Sequence, residues 1–195
     1  MTYTYRVLPH LQQVPEHFID RALQYRVLID NNQAVYSHLS EQYRNRKLFK
    51  DGKTVASAYQ IRWDLGYDFY QWAQQNITPS AYECGVAYLD GKLGPTQGAH
   101  TDQRRTVSLI YLLDPGGEHT RTVFYQEEGQ DLIRTIPQST CDDYRKLSVV
   151  DQKQFPLQQW VAINTQILHG VDEIDNCRIS LQISCNNIED ICVKF

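Results

Sequence analysis

Within the stretch "GAHTDQRRTVSLIYLLD", His100 and Asp102 stand one residue apart just ahead of an apolar, β-branched run. In a strand, side chains at i and i+2 share a face, so these two aim at one point while Thr101 faces away. An imidazole and a carboxylate converging there are two metal ligands. The tripeptide by itself fits a polar turn equally well, so a third donor decides its meaning. His169 is that candidate, closing the β-like run "WVAINTQILHG" behind apolar Ile167 and Leu168, where a buried imidazole needs partners for its nitrogens. Two histidines and one carboxylate with open positions form the facial set associated with non-haem Fe(II), whose free side takes substrate and O2.

A second signal follows in "CRISLQIS". Arg178, Ser180, Gln182 and Ser184 fall on one face of this strand, and Ile179, Leu181 and Ile183 on the other. Turned toward a cavity, Arg178 is a desolvated guanidinium that needs an anion, and a carboxylate ligand offsets its burial through two charge-assisted hydrogen bonds. Turned toward solvent, it pairs with Asp172, Glu173 or Asp175. The sequence allows both placements.

The elements that must position these residues are mostly strands. "PEHFIDRALQYRVLI", from Pro15 to about Ile29, spaces Phe18, Ala22, Tyr25 and Leu28 as an amphipathic helix. "DFYQWAQQNI", from Asp68 to Ile77, predicts a second helix with Asp68 as its cap. After Pro79 the chain turns to short runs rich in Val, Ile, Tyr and Thr, broken by "DGKLGPTQG", "DPGGEH" and "EEGQD". The expected fold is mainly β with N-terminal helices: a jelly roll backed by helices, in a single domain over residues 1–195. Helical support occupies about 1–78 and the β core about 80–187. The connection from Glu127 to Lys146 is long and polar enough to be a lid, or else a solvated surface.

Length and charge narrow the function. The 195 residues suit one domain with a full core. A net charge of -4 argues against a nucleic-acid groove, and a basic partner or a small polar one fits it better. No stretch approaches the roughly 20 apolar residues that span a bilayer, and the opening "MTYTYRVLPHLQQ" lacks the order of a secretory signal. Cys84, Cys141, Cys177, Cys185 and Cys192 are odd in number and contain no C-x-x-C pair, which predicts reduced, structural thiols in a cytoplasmic protein. His10, His17, His38 and His119 read as surface, packing or loop residues.

Together, His100-Thr101-Asp102, His169 and Arg178-Ile179-Ser180 resemble the H-x-D … H … R-x-S pattern of the 2-oxoglutarate- and Fe(II)-dependent oxygenases. The likeness runs from about Tyr82 to Asn186. "RTVSLIYLLDPGGEHTRTVFY" is similar to the prolyl-hydroxylase-like branch, in which a strand ending in Y-L precedes a glycine pair and then T-x-F, here Thr122-Val123-Phe124. The resemblance implies a double-stranded β-helix, Fe(II) on His100, Asp102 and His169, and the distal carboxylate of 2-oxoglutarate on Arg178 with Ser180 beside it. It also implies that Tyr88 reaches the cosubstrate. The face of Thr106, Ser108, Ile110 and Leu112 is a candidate cosubstrate wall. The implied reaction consumes O2, converts 2-oxoglutarate to succinate and hydroxylates a peptidyl or free amino-acid side chain.

One departure qualifies the substrate, and one match qualifies the reaction. Collagen-type prolyl hydroxylases offer a lysine where this chain has Arg178, so a proline substrate does not follow. Asp102 fills the ligand position that halogenating relatives leave to chloride, which favours hydroxylation. The alternative is a non-catalytic, metal-binding cupin- or lectin-like jelly roll. A metal hydrolase ranks below both, since it has no use for a buried Arg178.

Overall fold

Alternation along Cys177–Cys185 gives this strand one apolar and one polar face, and the computed structural model shows what each face meets. It describes residues 3–31, 46–58, 60–135, 138–186, 189 and 191. The elements are β1 (Tyr5–Leu8), α1 (Glu16–Asn31), β2 (Lys47–Lys50), β3 (Lys53–Ala58), β4 (Gln60–Asp64) and α2 (Tyr67–Asn76). There follow β5 (Glu83–Asp90), β6 (Thr96–Gln97), β7 (Ala99–His100), β8 (Val107–Asp114) and β9 (Arg121–Glu127). The remainder are β10 (Thr140–Cys141), a 3-10 turn at Tyr144–Lys146, β11 (Leu147–Lys153), β12 (Trp160–Asn164), β13 (Leu168–Asp172) and β14 (Cys177–Cys185).

The larger sheet has the order β1-β12-β8-β14-β5-β4 and the smaller β10-β7-β13-β9-β11. Of the eight core strands in chain order, the first, third, sixth and eighth (β5, β8, β12, β14) lie in the larger sheet. The second, fourth, fifth and seventh (β7, β9, β11, β13) lie in the smaller. All pair antiparallel. That alternation of the chain between two sheets is a double-stranded β-helix, the jelly roll expected from the sequence.

Three apolar layers hold it together. Between the sheets, Ile110, Leu112, Val161 and Ile163 of the larger sheet meet Phe124 of the smaller. The outer face of the larger sheet, including Ile179, Leu181, Ile183 and Cys185, packs on Phe18 and Ala22 of α1 and Phe69 and Ala73 of α2. The rings of Phe18 and Phe69 meet edge to face with centroids 5.1 Å apart. Each such fully buried ring contributes roughly 1.5–3 kcal/mol. Outside the smaller sheet, Val123, Tyr125 and Leu168 are covered by Tyr144 and Leu147.

The N-terminal part differs from the expectation of helices alone, because β1 to β4 lie before Pro79. β1 and β4 are short edge strands of the larger sheet, which give weak patterns because only one neighbour reads them. β2 and β3 form a hairpin closed by Asp51-Gly52, both at positive φ (52° and 74°). An Asp-Gly pair is what a two-residue turn of that hand prefers, so the signal was present in the sequence. The cap of α2 also differs: Gly66 is the N-cap, and Asp68 instead pairs with Arg21 of α1 at 2.8 Å. Among the described residues, no helix is long and apolar enough to cross a membrane.

Candidate metal centre

His100 ends β7 and lies directly across the sheet from His169 of β13, with ring centroids 4.6 Å apart. Asp102 follows on the turn, where its N–H donates to the Thr165 carbonyl at 3.1 Å. The Thr101 hydroxyl accepts from the Ser139 N–H at 2.9 Å, tying the residue between the two ligands to β10's approach. One donor atom from each of His100, Asp102 and His169 lies within 4.8 Å of the others. Three residues distant in sequence are thus brought together by one strand pair and one turn.

The hydrogen bonds set both imidazoles for a metal. Nδ1 of His100 is 2.9 Å from the Gly98 carbonyl, and Nδ1 of His169 is 2.9 Å from the Ile167 carbonyl. A carbonyl only accepts, so each Nδ1 carries a hydrogen and Nε2 is the nitrogen left to meet a ligand. Burial, reinforced by His169, pushes the His100 pKa down to about 4, so the ring is neutral at ordinary pH. Burial acts to raise the Asp102 carboxyl, but Arg105 and the two histidines outweigh it and hold the group well below its usual range. Arg105 Nε donates to Asp102 Oδ2 at 2.5 Å, while Oδ1 stands 3.8 Å from His100 Nε2.

Arg178 and Ser180 line the same cavity as the three donors. The guanidinium is 5% exposed and donates from Nη2 to the Thr122 hydroxyl at 3.2 Å. Its Nη1 is buried without a partner, and among the described residues no carboxylate pairs with it. Two of the carboxylates near it in sequence are engaged elsewhere: Asp172 with Lys50 (2.7 Å) and the Tyr125 hydroxyl (3.0 Å), Glu173 with Arg121. Burial lowers the Arg178 pKa only to about 10, so it stays charged. Gly116, at φ 83°, makes the close approach possible at the head of β14, since a Cβ there would stand 2.9 Å from the Arg178 nitrogen. Ser108 and Ile110 of the anticipated wall also face the cavity; the Ser108 hydroxyl is buried with no partner.

Tyr88 is a correction. On β5, Ala87 and Leu89 face the cavity, and Tyr88 points the other way, into the layer beneath α1, where its hydroxyl donates to the Ala22 carbonyl. The register explains why: Arg178 opposes Leu89 and Ser180 opposes Ala87, so Tyr88 falls opposite Ile179 on the apolar face. Arg105 and Gln60 were not anticipated. Arg105 had a signal, a basic residue three positions after an acidic candidate ligand; Gln60 had none, because β4 itself was not legible. The connection from Glu127 to Lys146 is tied down in part, with Thr140 paired to His100 and Arg134 bonded to Glu127 at 2.6 Å. His10, His17 and His119 are exposed. His38 and Cys192 lie outside the described residues.

No protein-family model matches this chain, and no curated protein matches it. Among solved structures, it is similar to a prolyl hydroxylase from Trichoplax adhaerens, in complex with a hypoxia inducible factor oxygen degradation domain peptide fragment. The identity is 12% and the TM-score 0.49, covering 96% of this chain and 85% of that one. A prolyl-4-hydroxylase from Pseudomonas putida is similar at 12% identity and a TM-score of 0.47, covering 95% and 94%. The strand order described above, rather than these likenesses, establishes the fold.

Proposed function

We propose that this chain is a 2-oxoglutarate- and Fe(II)-dependent dioxygenase that hydroxylates a peptidyl or free amino-acid side chain. The observation that carries the reading is the buried guanidinium of Arg178, with no carboxylate partner among the described residues, in the same cavity as His100, Asp102 and His169. A metal module or a hydrolase has a use for the three donors but none for that cation.

The residues fit the groups. Two imidazoles and one carboxylate are a donor set for a divalent ion such as Fe(II), and three ligands leave positions open. Arg178, with the Thr122 and Ser180 hydroxyls near it, would hold the distal carboxylate of 2-oxoglutarate. When bound, Fe(II) with 2-oxoglutarate and O2 supplies the oxidant that inserts one oxygen atom into a C–H bond, the other leaving in succinate as CO2 is lost. The chain's own contribution is placement. Gly98 and Ile167 carbonyls fix the two rings, Arg105 orients Asp102, and Ile110, Ile163 and Val171 line the cavity with apolar surface that limits water. Such a protein suits the reducing cytoplasm, where the thiols of Cys84 and Cys141 stay reduced.

Succinate release from purified protein with Fe(II), 2-oxoglutarate and air tests the reading. Slow release without added substrate, abolished by His169→Ala, is the expected result. Metal binding with no 2-oxoglutarate consumed under any condition would instead assign the chain to the non-catalytic modules.

A further inference from the structure

The metal cavity opens through a vestibule of about 300 Å³ lined mainly by side chains that carry polar groups, among them Gln60, Arg62, Gln97 and Arg105. Edge strand β4 supplies its outer wall. Gln60 and Arg62, two residues apart, face the vestibule, while Ile61 turns to the helical layer.

Two features of this wall point to a ligand. The first is a ladder of amides. Gln97 Nε2 donates to Gln60 Oε1 (3.3 Å), Gln60 Nε2 to Gln182 Oε1 (3.4 Å), and Gln182 Nε2 to Ser180 Oγ (3.4 Å). A glutamine amide has two donors and two acceptor lone pairs, so each rung keeps hydrogen-bonding capacity unused by the ladder.

The second feature is charge. Arg46 is held by Asp142 at 2.5 Å and Arg105 by Asp102 at 2.5 Å. Arg62 has a much looser partner: its nearest carboxylate, Glu83, is 3.6 Å away and 44% exposed. Arg105 adds a second positive charge beside Arg62, which Glu83 offsets only loosely. A protein with a net charge of -4 thus concentrates arginines at one opening.

We infer that the substrate is a free, polar amino acid, its carboxylate bound by Arg62 and its ammonium and side-chain polar groups by the Gln60 and Gln97 amides. Residues i and i+2 of a strand are roughly 7 Å apart, about the span of one free amino acid. A residue inside a peptide has no α-carboxylate to offer Arg62 and no α-ammonium to offer the amides. This deepens the oxygenase reading and rests on it for the chemistry, though not for the binding.

The test compares free polar amino acids with their N-acetyl amides, which lack both charges. Each is titrated calorimetrically into Fe(II)-loaded protein under argon and then assayed for stimulated succinate release. At least one free amino acid should bind and stimulate, and its blocked form should do neither. Arg62→Ala should raise its Kd and KM by about tenfold or more, with Arg62→Lys recovering part, because a guanidinium–carboxylate pair is lost and then replaced by a point charge. Thermal melts of both variants establish that they fold. Equal binding of the blocked forms, binding by no free amino acid, or an affinity unchanged in a folded Arg62→Ala would each overturn the inference. Binding with no 2-oxoglutarate consumed would keep the ligand class and remove the oxygenase, so the two failures are distinct.

Discussion

Arg105 donates to Oδ2 of Asp102 at 2.5 Å, and that bond decides which carboxylate oxygen is left for the two histidines. Arg105 is itself anchored, since its Nη1 donates to the Ser184 hydroxyl at 2.9 Å. A carboxylate held at one oxygen presents the other in a single orientation, which is how outer partners tune a metal ligand.

Arg105→Leu should therefore weaken metal binding about 10- to 100-fold, the usual cost of losing such a partner. Arg105→Lys should recover part, because charge survives while the second anchor at Ser184 does not. Calorimetric metal titration of the two variants measures this. Equal affinity in Arg105→Leu and the unaltered protein would mean that Asp102 is oriented by its turn alone.

Tyr88→Phe separates a packing role from a cosubstrate role. The hydroxyl donates to Ala22 of α1, so its loss should lower stability by about 1 kcal/mol, read from denaturant melts. Affinity for 2-oxoglutarate should not change. A large loss of that affinity at unchanged stability would put Tyr88 back on the cavity side.

That residue also shows where the sequence was legible and where it was not. Parity along β14 was readable because its polar and apolar faces are both buried and so both specified: Arg178, Ser180 and Gln182 inward to the cavity, Ile179, Leu181 and Ile183 to the helices. The same parity, carried across the strand pair to β5, would have excluded Tyr88, but its register is set by tertiary pairing. His100, Asp102 and His169 stood out because their types are costly to bury without a use. Arg62 and Gln60 did not, because a four- or five-residue edge strand has too few alternations to be read against a loop. Asp68 looked like a cap by local rule, yet its partner Arg21 lies 47 residues away.

Hydrogen exchange should divide the connection between Glu127 and Lys146. Thr140 and Cys141, paired with β7, and the amide of Thr101, bonded to the Ser139 carbonyl at 2.8 Å, should be protected without substrate. The stretch Glu128–Asp131 includes residues that are exposed and should exchange faster than β8. Protection of that stretch equal to that of β8 would remove the lid expectation and make it part of the packed structure.

On the oxygenase reading, Arg178 binds the cosubstrate while His100, Asp102 and His169 bind the metal. Anaerobic titration of Fe(II)-loaded protein with 2-oxoglutarate, followed by the visible charge-transfer band of the chelate, tests it most directly. The expected result is a band in the unaltered protein, affinity for 2-oxoglutarate lower by about 2 to 5 kcal/mol in Arg178→Ala with iron still bound, and partial recovery in Arg178→Lys. No band in the unaltered protein, or a band of unchanged affinity in Arg178→Ala, would contradict it.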